Sequence, residues 1–114
     1  MGGGEFEPPD TFVNRHGQVT NGDYTVDAAG MEPHMTGSLA GGKSQFFFGV
    51  DAHTAALDAA SYADENGLSD ANKAKVFVTN GPVGVLGQSG VPTDWINVYR
   101  TNTGFVHASP GSAP

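Results

Sequence analysis

The chain has no cysteine, a single tryptophan, five Lys and Arg residues against twelve Asp and Glu, and no long apolar run. Without cysteine there is neither a disulfide framework nor a thiolate metal site, so packing alone must hold the fold in oxidising and reducing compartments alike. No stretch approaches the roughly 20 apolar residues that cross a bilayer as a helix, and no basic segment followed by an apolar one opens the chain. The shortage of cations, with a formal net charge of −7, excludes a broad non-specific grip on nucleic acid, which depends on Lys and Arg neutralising phosphates. A few cations gathered in a cleft remain compatible with local RNA binding, and an acidic surface equally suits a basic partner.

Against these absences stand a hydrophobic share of 38%, 17 glycines and seven prolines. The first implies a packed core, and the glycines and prolines imply short elements joined by many turns. A length of 114 residues suits one domain. Residues 1–10, rich in Gly, Glu and Pro, read as a linker, which makes residues 11–114 the folded domain and the end of a longer protein.

Asn21-Gly22 between Val19 and Tyr24-Thr25-Val26 signals a tight turn between extended pieces. Residues 30–49 are broken by glycines and lead into the core through Phe46-Phe47-Phe48. The alanine-rich run from Asp51 to Asn66, with Asp51 placed to cap and Gly67 to stop it, predicts the main helix, with Val50, Ala56, Leu57, Ala60 and Ala63 as its buried stripe. After Asn72 the period changes to two. Residues 75–79, 83–87, 95–100 and 104–109 predict four strands on short connections, hence antiparallel pairing. The expected fold class is α+β: an N-terminal helical and irregular half with one main helix, packed on a four-stranded antiparallel sheet.

The candidate chemistry gathers in two places. In the last hairpin, a four-residue loop over 101–104 makes Arg100 face Phe105 and places Arg100 and His107 diagonally on one side of the sheet. A guanidinium beside an imidazole can hold a phosphate while the imidazole moves a proton, which suits metal-free cleavage of RNA. A slip of one residue separates the two. The second place is His34 with Lys43 and Ser44 after a glycine-rich stretch. Gly37 to Ser44 matches the letters of a P-loop, but no strand precedes it and phenylalanines follow it, so a nucleotide-binding loop is not expected. His34 is a second acid-base group. His53 and His16 read as structural or surface residues, and no His-Glu-x-x-His pattern indicates a metal. Tyr99, Thr93, Thr101 and Thr103 are candidates to bind substrate through stacking and hydroxyls, whereas Trp95 is expected in the core.

Met31-x-x-His34, Gly42-Lys43-Ser44-Gln45-Phe46, the Asp51 to Gly67 helix, Lys75-Val76-Phe77-Val78, Asn97-Val98-Tyr99-Arg100 and Gly104-Phe105-Val106-His107-x-Ser109-Pro110-Gly111 run through most of the chain. In these features it resembles the C-terminal toxin domains of bacterial polymorphic toxins, of the kind carried by contact-dependent and type VII secretion effectors. Many such domains are similar to the barnase, EndoU, colicin and RelE group. The resemblance implies a metal-independent, cofactor-free endoribonuclease, secreted or delivered into a target cell's cytoplasm, acting on RNA such as tRNA in interbacterial competition and neutralised by an immunity protein. Carried over, His34 and His107 are the acid-base pair, Lys43 and Arg100 stabilise phosphate, and Ser44 and Thr93 donate hydroxyls. The alternatives are another toxin enzyme, either a DNase or a nucleotide-directed transferase, and a noncatalytic acidic binding domain of a secreted protein.

Overall fold

The computed structural model describes residues 11–35, 42–68, 72–79, 81–87 and 89–114. Along the chain run β1 (Phe12–Val13), β2 (Val19–Thr20), β3 (Thr25–Val26), the one-turn helix α1 (Ala28–Met31), a 3-10 turn (Glu32–His34) and β4 (Gln45–Phe46). Then come α2 (Ala52–Glu65), β5 (Lys73–Phe77), β6 (Gly84–Val85), β7 (Pro92–Thr93), β8 (Trp95–Arg100) and β9 (Phe105–Gly111). The linker reading of residues 1–10 and all of the Gly37 to Gly41 stretch lie outside the described residues.

The α2 helix forms where the alanines predict it. The Asp51 carboxylate accepts the Thr54 N–H at 3.1 Å and the Thr54 hydroxyl at 2.9 Å, satisfying donors that the first turn leaves free. At the other end Gly67 takes φ 62°, and the Leu68 N–H reaches back to the Ala63 carbonyl at 2.9 Å. Its buried stripe is Ala52, Ala56, Leu57, Ala59, Ala60 and Ala63. The five alanines let the helix lie close on the sheet, and Leu57, fully buried, contributes about 1.5–3 kcal/mol of transfer free energy.

That helix covers one face of a six-stranded sheet of order β1-β2-β3-β9-β8-β5. The sheet is α+β as expected but differs from four antiparallel strands in three respects. First, the Asn21-Gly22 hairpin of β2 and β3 joins it, with β3 parallel to β9 through Val26 and Val106. A parallel neighbour needs a long crossover and leaves no local signature in sequence. Second, the stretch expected as a strand over 83–87 contributes only β6, which pairs with β4 and β7 in a separate three-stranded sheet. Gly84 permits this, since a Cβ there would lie 2.3 Å from the Gln45 carbonyl oxygen. Third, the N-terminal half holds α1 and the 3-10 turn, so the main helix is one of two α-helices.

Alternation along the strands gives the sheet two faces. Val26, Ala74, Val76, Ile96, Val98, Val106 and Ala108 are buried on the α2 side. Lys73, Lys75, Phe77, Trp95, Asn97, Tyr99 and His107 stand on the other, outer face.

Candidate active site on the outer sheet face

The register of β8 and β9 decides which side chains meet. Thr101 closes the hairpin, its N–H bonding the Phe105 carbonyl at 2.9 Å, and Gly104 takes φ 88°. The loop is therefore three residues, 102–104, built on a left-handed glycine as such loops commonly are. Arg100 faces Val106, and Tyr99 faces His107. This is the one-residue slip that sends Arg100 and His107 to opposite faces, so the expected cation–imidazole pair does not exist.

What His107 receives instead is a stack. Its ring lies 4.9 Å from that of Tyr99 at an interplanar angle of 18°, and the Lys73 ammonium sits 5.6 Å from the far ring's centroid. Lys73, Tyr99 and His107 thus form a row across three strands, because each is directly opposite the next. Lys75 stands one pleat along β5 on the same face, its ammonium donating to the Asn97 side-chain carbonyl and the Ser112 carbonyl, both at 2.9 Å.

On its other side His107 meets the segment that follows β3. Asp27 caps α1, accepting the Gly30 N–H at 3.2 Å. Gly30 lies so close to the imidazole that a Cβ there would be 2.9 Å from both His107 Cγ and Asp27 Oδ2. Burial lowers the His107 pKa below its ordinary 6.5; the Asp27 carboxylate opposes the shift, and charge on His34 adds to it. The balance favours a neutral imidazole that shares its surroundings with a carboxylate and a second histidine.

His34 ends the 3-10 turn, which Pro33 starts with its fixed φ. Its Nδ1 is 2.8 Å from the Ser44 carbonyl oxygen. A carbonyl only accepts, so Nδ1 carries a hydrogen and donates it, leaving Nε2 as the atom that exchanges protons. Ser44 is in turn held by its hydroxyl, which accepts the Gly87 N–H at 3.1 Å. Ser44 therefore positions His34 through its backbone while its side chain ties β4 to the loop after β6. Lys43 beside it is exposed.

The remaining sequence candidates stand elsewhere. Arg100, its side chain only 8% exposed, points to the helix side, where it pairs with Asp64 and donates to the Tyr24 hydroxyl at 2.9 Å; Tyr24 also bonds Asp64. It clasps α2 to the sheet. Thr93 is buried and donates its hydroxyl to the Gly111 carbonyl at 2.6 Å, which ties β7 to β9. The Thr101 and Thr103 hydroxyls bond each other at 3.0 Å in the hairpin loop, and Thr101 Oγ1 also accepts the Phe105 N–H. Trp95, expected in the core, is partly exposed on the outer face, edge to face with Phe77 at 5.3 Å. Sequence reasoning missed Lys73 and Asp27. Lys73 could have been found from its two-residue spacing to Lys75 in a strand, whereas no local signal brings Asp27 to His107.

Both histidines are partly buried. A cavity of about 400 Å³ lies between α2 and the edge of β5, lined among others by Ala59, Tyr62 and Val76. One of about 170 Å³ lies by Val19, Asp27 and His53. Neither includes His34 or His107. Among the described residues no group of three or more His, Asp and Glu could hold a metal ion, and no helix is long and apolar enough to cross a membrane. No protein-family model matches the chain, and no curated protein matches it.

Proposed function

We propose that the domain is a metal-independent endoribonuclease whose acid-base pair is His107 and His34 on the outer face of the sheet, of the kind that polymorphic toxins carry. The observation that carries the reading is the convergence of a partly buried imidazole with a lowered pKa and a second imidazole oriented by a backbone carbonyl. His107, held neutral, accepts the ribose 2′-OH proton, and the freed oxygen attacks the adjacent phosphorus. His34 gives a proton from Nε2 to the departing 5′ oxygen. The products are a 2′,3′-cyclic phosphate and a new 5′-OH, so no water is consumed in the step. Each such proton transfer contributes about a hundredfold or more in rate. Asp27 stabilises the imidazolium that forms on His107, and Lys73, at the end of the stack, supplies the cation for phosphate that Arg100 cannot. An immunity protein would neutralise the domain by covering this face.

The test is incubation with total RNA and with plasmid DNA in excess EDTA. Expected is cleavage of RNA alone, cyclic phosphate ends, and loss of cutting in both His107→Ala and His34→Ala. RNA left intact by a folded protein, or DNA cut only with a divalent metal, overturns the reading.

A further inference from the structure

Phe77 and Trp95 form a second aromatic pair on the outer face, with Phe77 50% exposed although it is a large apolar side chain. Trp95 lies on the same strand and the same face as Tyr99, four residues away, or about 13 Å along the strand. Between them stand Asn97 and Lys75. The ammonium has three donors and uses two, on Asn97 and on Ser112. The Asn97 carbonyl is taken by Lys75, and its NH₂ group packs against buried Gly111, where the absence of a Cβ makes room: one there would lie 2.3 Å from that nitrogen. An aromatic pair with one ring half exposed, and the Lys75 ammonium beside it, thus continue the Lys73–Tyr99–His107 row along one face.

We infer that Phe77, Trp95, Asn97 and Lys75 form a subsite for an unstacked base of single-stranded RNA and its phosphate, next to the nucleotides held at His107. The inference rests on the ribonuclease reading for the identity of the strand. The aromatic rings take the base face, which any base offers, while Lys75, held in place by Asn97, takes the phosphate. A docking surface for a protein is less well matched, since two lysines lie along the same strand as the exposed ring and charge is depleted at the centre of protein interfaces.

Trp95 is the only tryptophan, so in the folded protein the indole fluorescence comes from this subsite. The probe is a single-stranded oligonucleotide in which every 2′-OH is a 2′-O-methyl, which binds without being cut. Expected is saturable quenching, with affinity weakened about fivefold to 150-fold in Phe77→Ala, the range that stacking of one base spans. Phe12→Ala, which removes an equally exposed ring at the opposite edge of the sheet, changes nothing. Lys75→Gln lowers the slope of log affinity against log salt by about 0.7, the loss of one phosphate contact. Quenching without any RNA cleavage leaves the subsite standing and removes the ribonuclease. Cleavage of long RNA with no quenching, an equal effect of Phe12→Ala, or fluorescence that follows protein concentration instead of oligonucleotide overturns the subsite and leaves the ribonuclease intact.

Discussion

Arg100 separates the structural account of this surface from the one that sequence spacing suggests, and Arg100→Ala tests it. In the fold the guanidinium is a clasp between β8 and α2, bonded to Asp64 and Tyr24. Hydrogen bonds to charged groups contribute about 1.5–3 kcal/mol each. Asp64 is 46% exposed, so solvent screens the ion pair and brings its share well below what a buried pair would give. The substitution also strips the aliphatic stem from the space against the Tyr24 ring, over which the guanidinium sits at 5.7 Å. One gain works the other way: Arg100 Nε is buried with no partner among the described residues, and its desolvation cost disappears with it. The net loss is about 2 kcal/mol, which lowers Tm by roughly 8 °C in a domain of this size.

Urea unfolding followed by Trp95 fluorescence gives the midpoint, and an unchanged m-value shows that stability alone moved. A cycle with Asp64→Ala isolates the coupling, expected at about 1 kcal/mol because the two side chains touch. Cleavage per folded molecule stays as it was, since Arg100 is on the face turned away from His107. An unchanged midpoint together with a tenfold or greater fall in cleavage would refute the register and return Arg100 to the phosphate.

Two further outcomes follow from the surroundings of His107. Its pKa is lower in the folded chain than the ordinary 6.5, so the unfolded chain binds that proton more tightly. The stability this confers is complete above 6.5 and is lost as the pH falls below it towards the folded value, so His107→Gln should flatten the decline of unfolding free energy on the acid side, read from urea midpoints at a series of pH values. Gly30→Ala sets a methyl group 2.9 Å from His107 Cγ and Asp27 Oδ2, which must part to admit it. We expect about 1–3 kcal/mol of destabilisation and a shifted His107 ring resonance in NMR, and an unshifted resonance would mean that the imidazole does not rest against α1.

The parts of this fold that sequence reveals are those fixed by neighbours in sequence. Asp51, the alanines and Gly67 specify α2 within one stretch, and Asn21-Gly22 specifies its turn, with the Asn21 side chain accepting the Asp23 and Tyr24 N–H groups. The pairing of β3 with β9, the transfer of β6 to a second sheet and the approach of Asp27 to His107 depend on contacts between distant segments, for which periodicity carries no information. The hairpin of β8 and β9 lies between these cases. Its strands are legible, yet its register depends on whether Thr101 belongs to the loop or to the ladder, and that single residue decides which face Arg100 occupies. His34, Ser44, Tyr99 and His107 stand out in the sequence as candidates, but how they lie relative to one another is given only by the fold.

Net charge poses the main physical objection to an RNA substrate, and part of the acidic charge lies away from His107. Asp51, Asp58, Asp64 and Glu65 are carried on α2 or its cap, on the far side of the sheet from His107. A helix is about 10–12 Å across, and at physiological salt charges act over about 8 Å, so carboxylates on the solvent side of α2 are largely screened from the outer sheet face. Arg100, the cation on that side, is already paired with Asp64. Two of the five Lys and Arg residues, Lys73 and Lys75, stand on the outer face, where a bound phosphate would meet them. On the proposed reading, a strand of RNA approaching that face would meet two lysines and two imidazoles, together with the Glu32 carboxylate in the turn that carries His34 and the Asp27 carboxylate beside His107, which opposes the effect of burial on the imidazole. The acidity of α2 would then disfavour nucleic acid on that side of the sheet and leave the outer face as the side that binds.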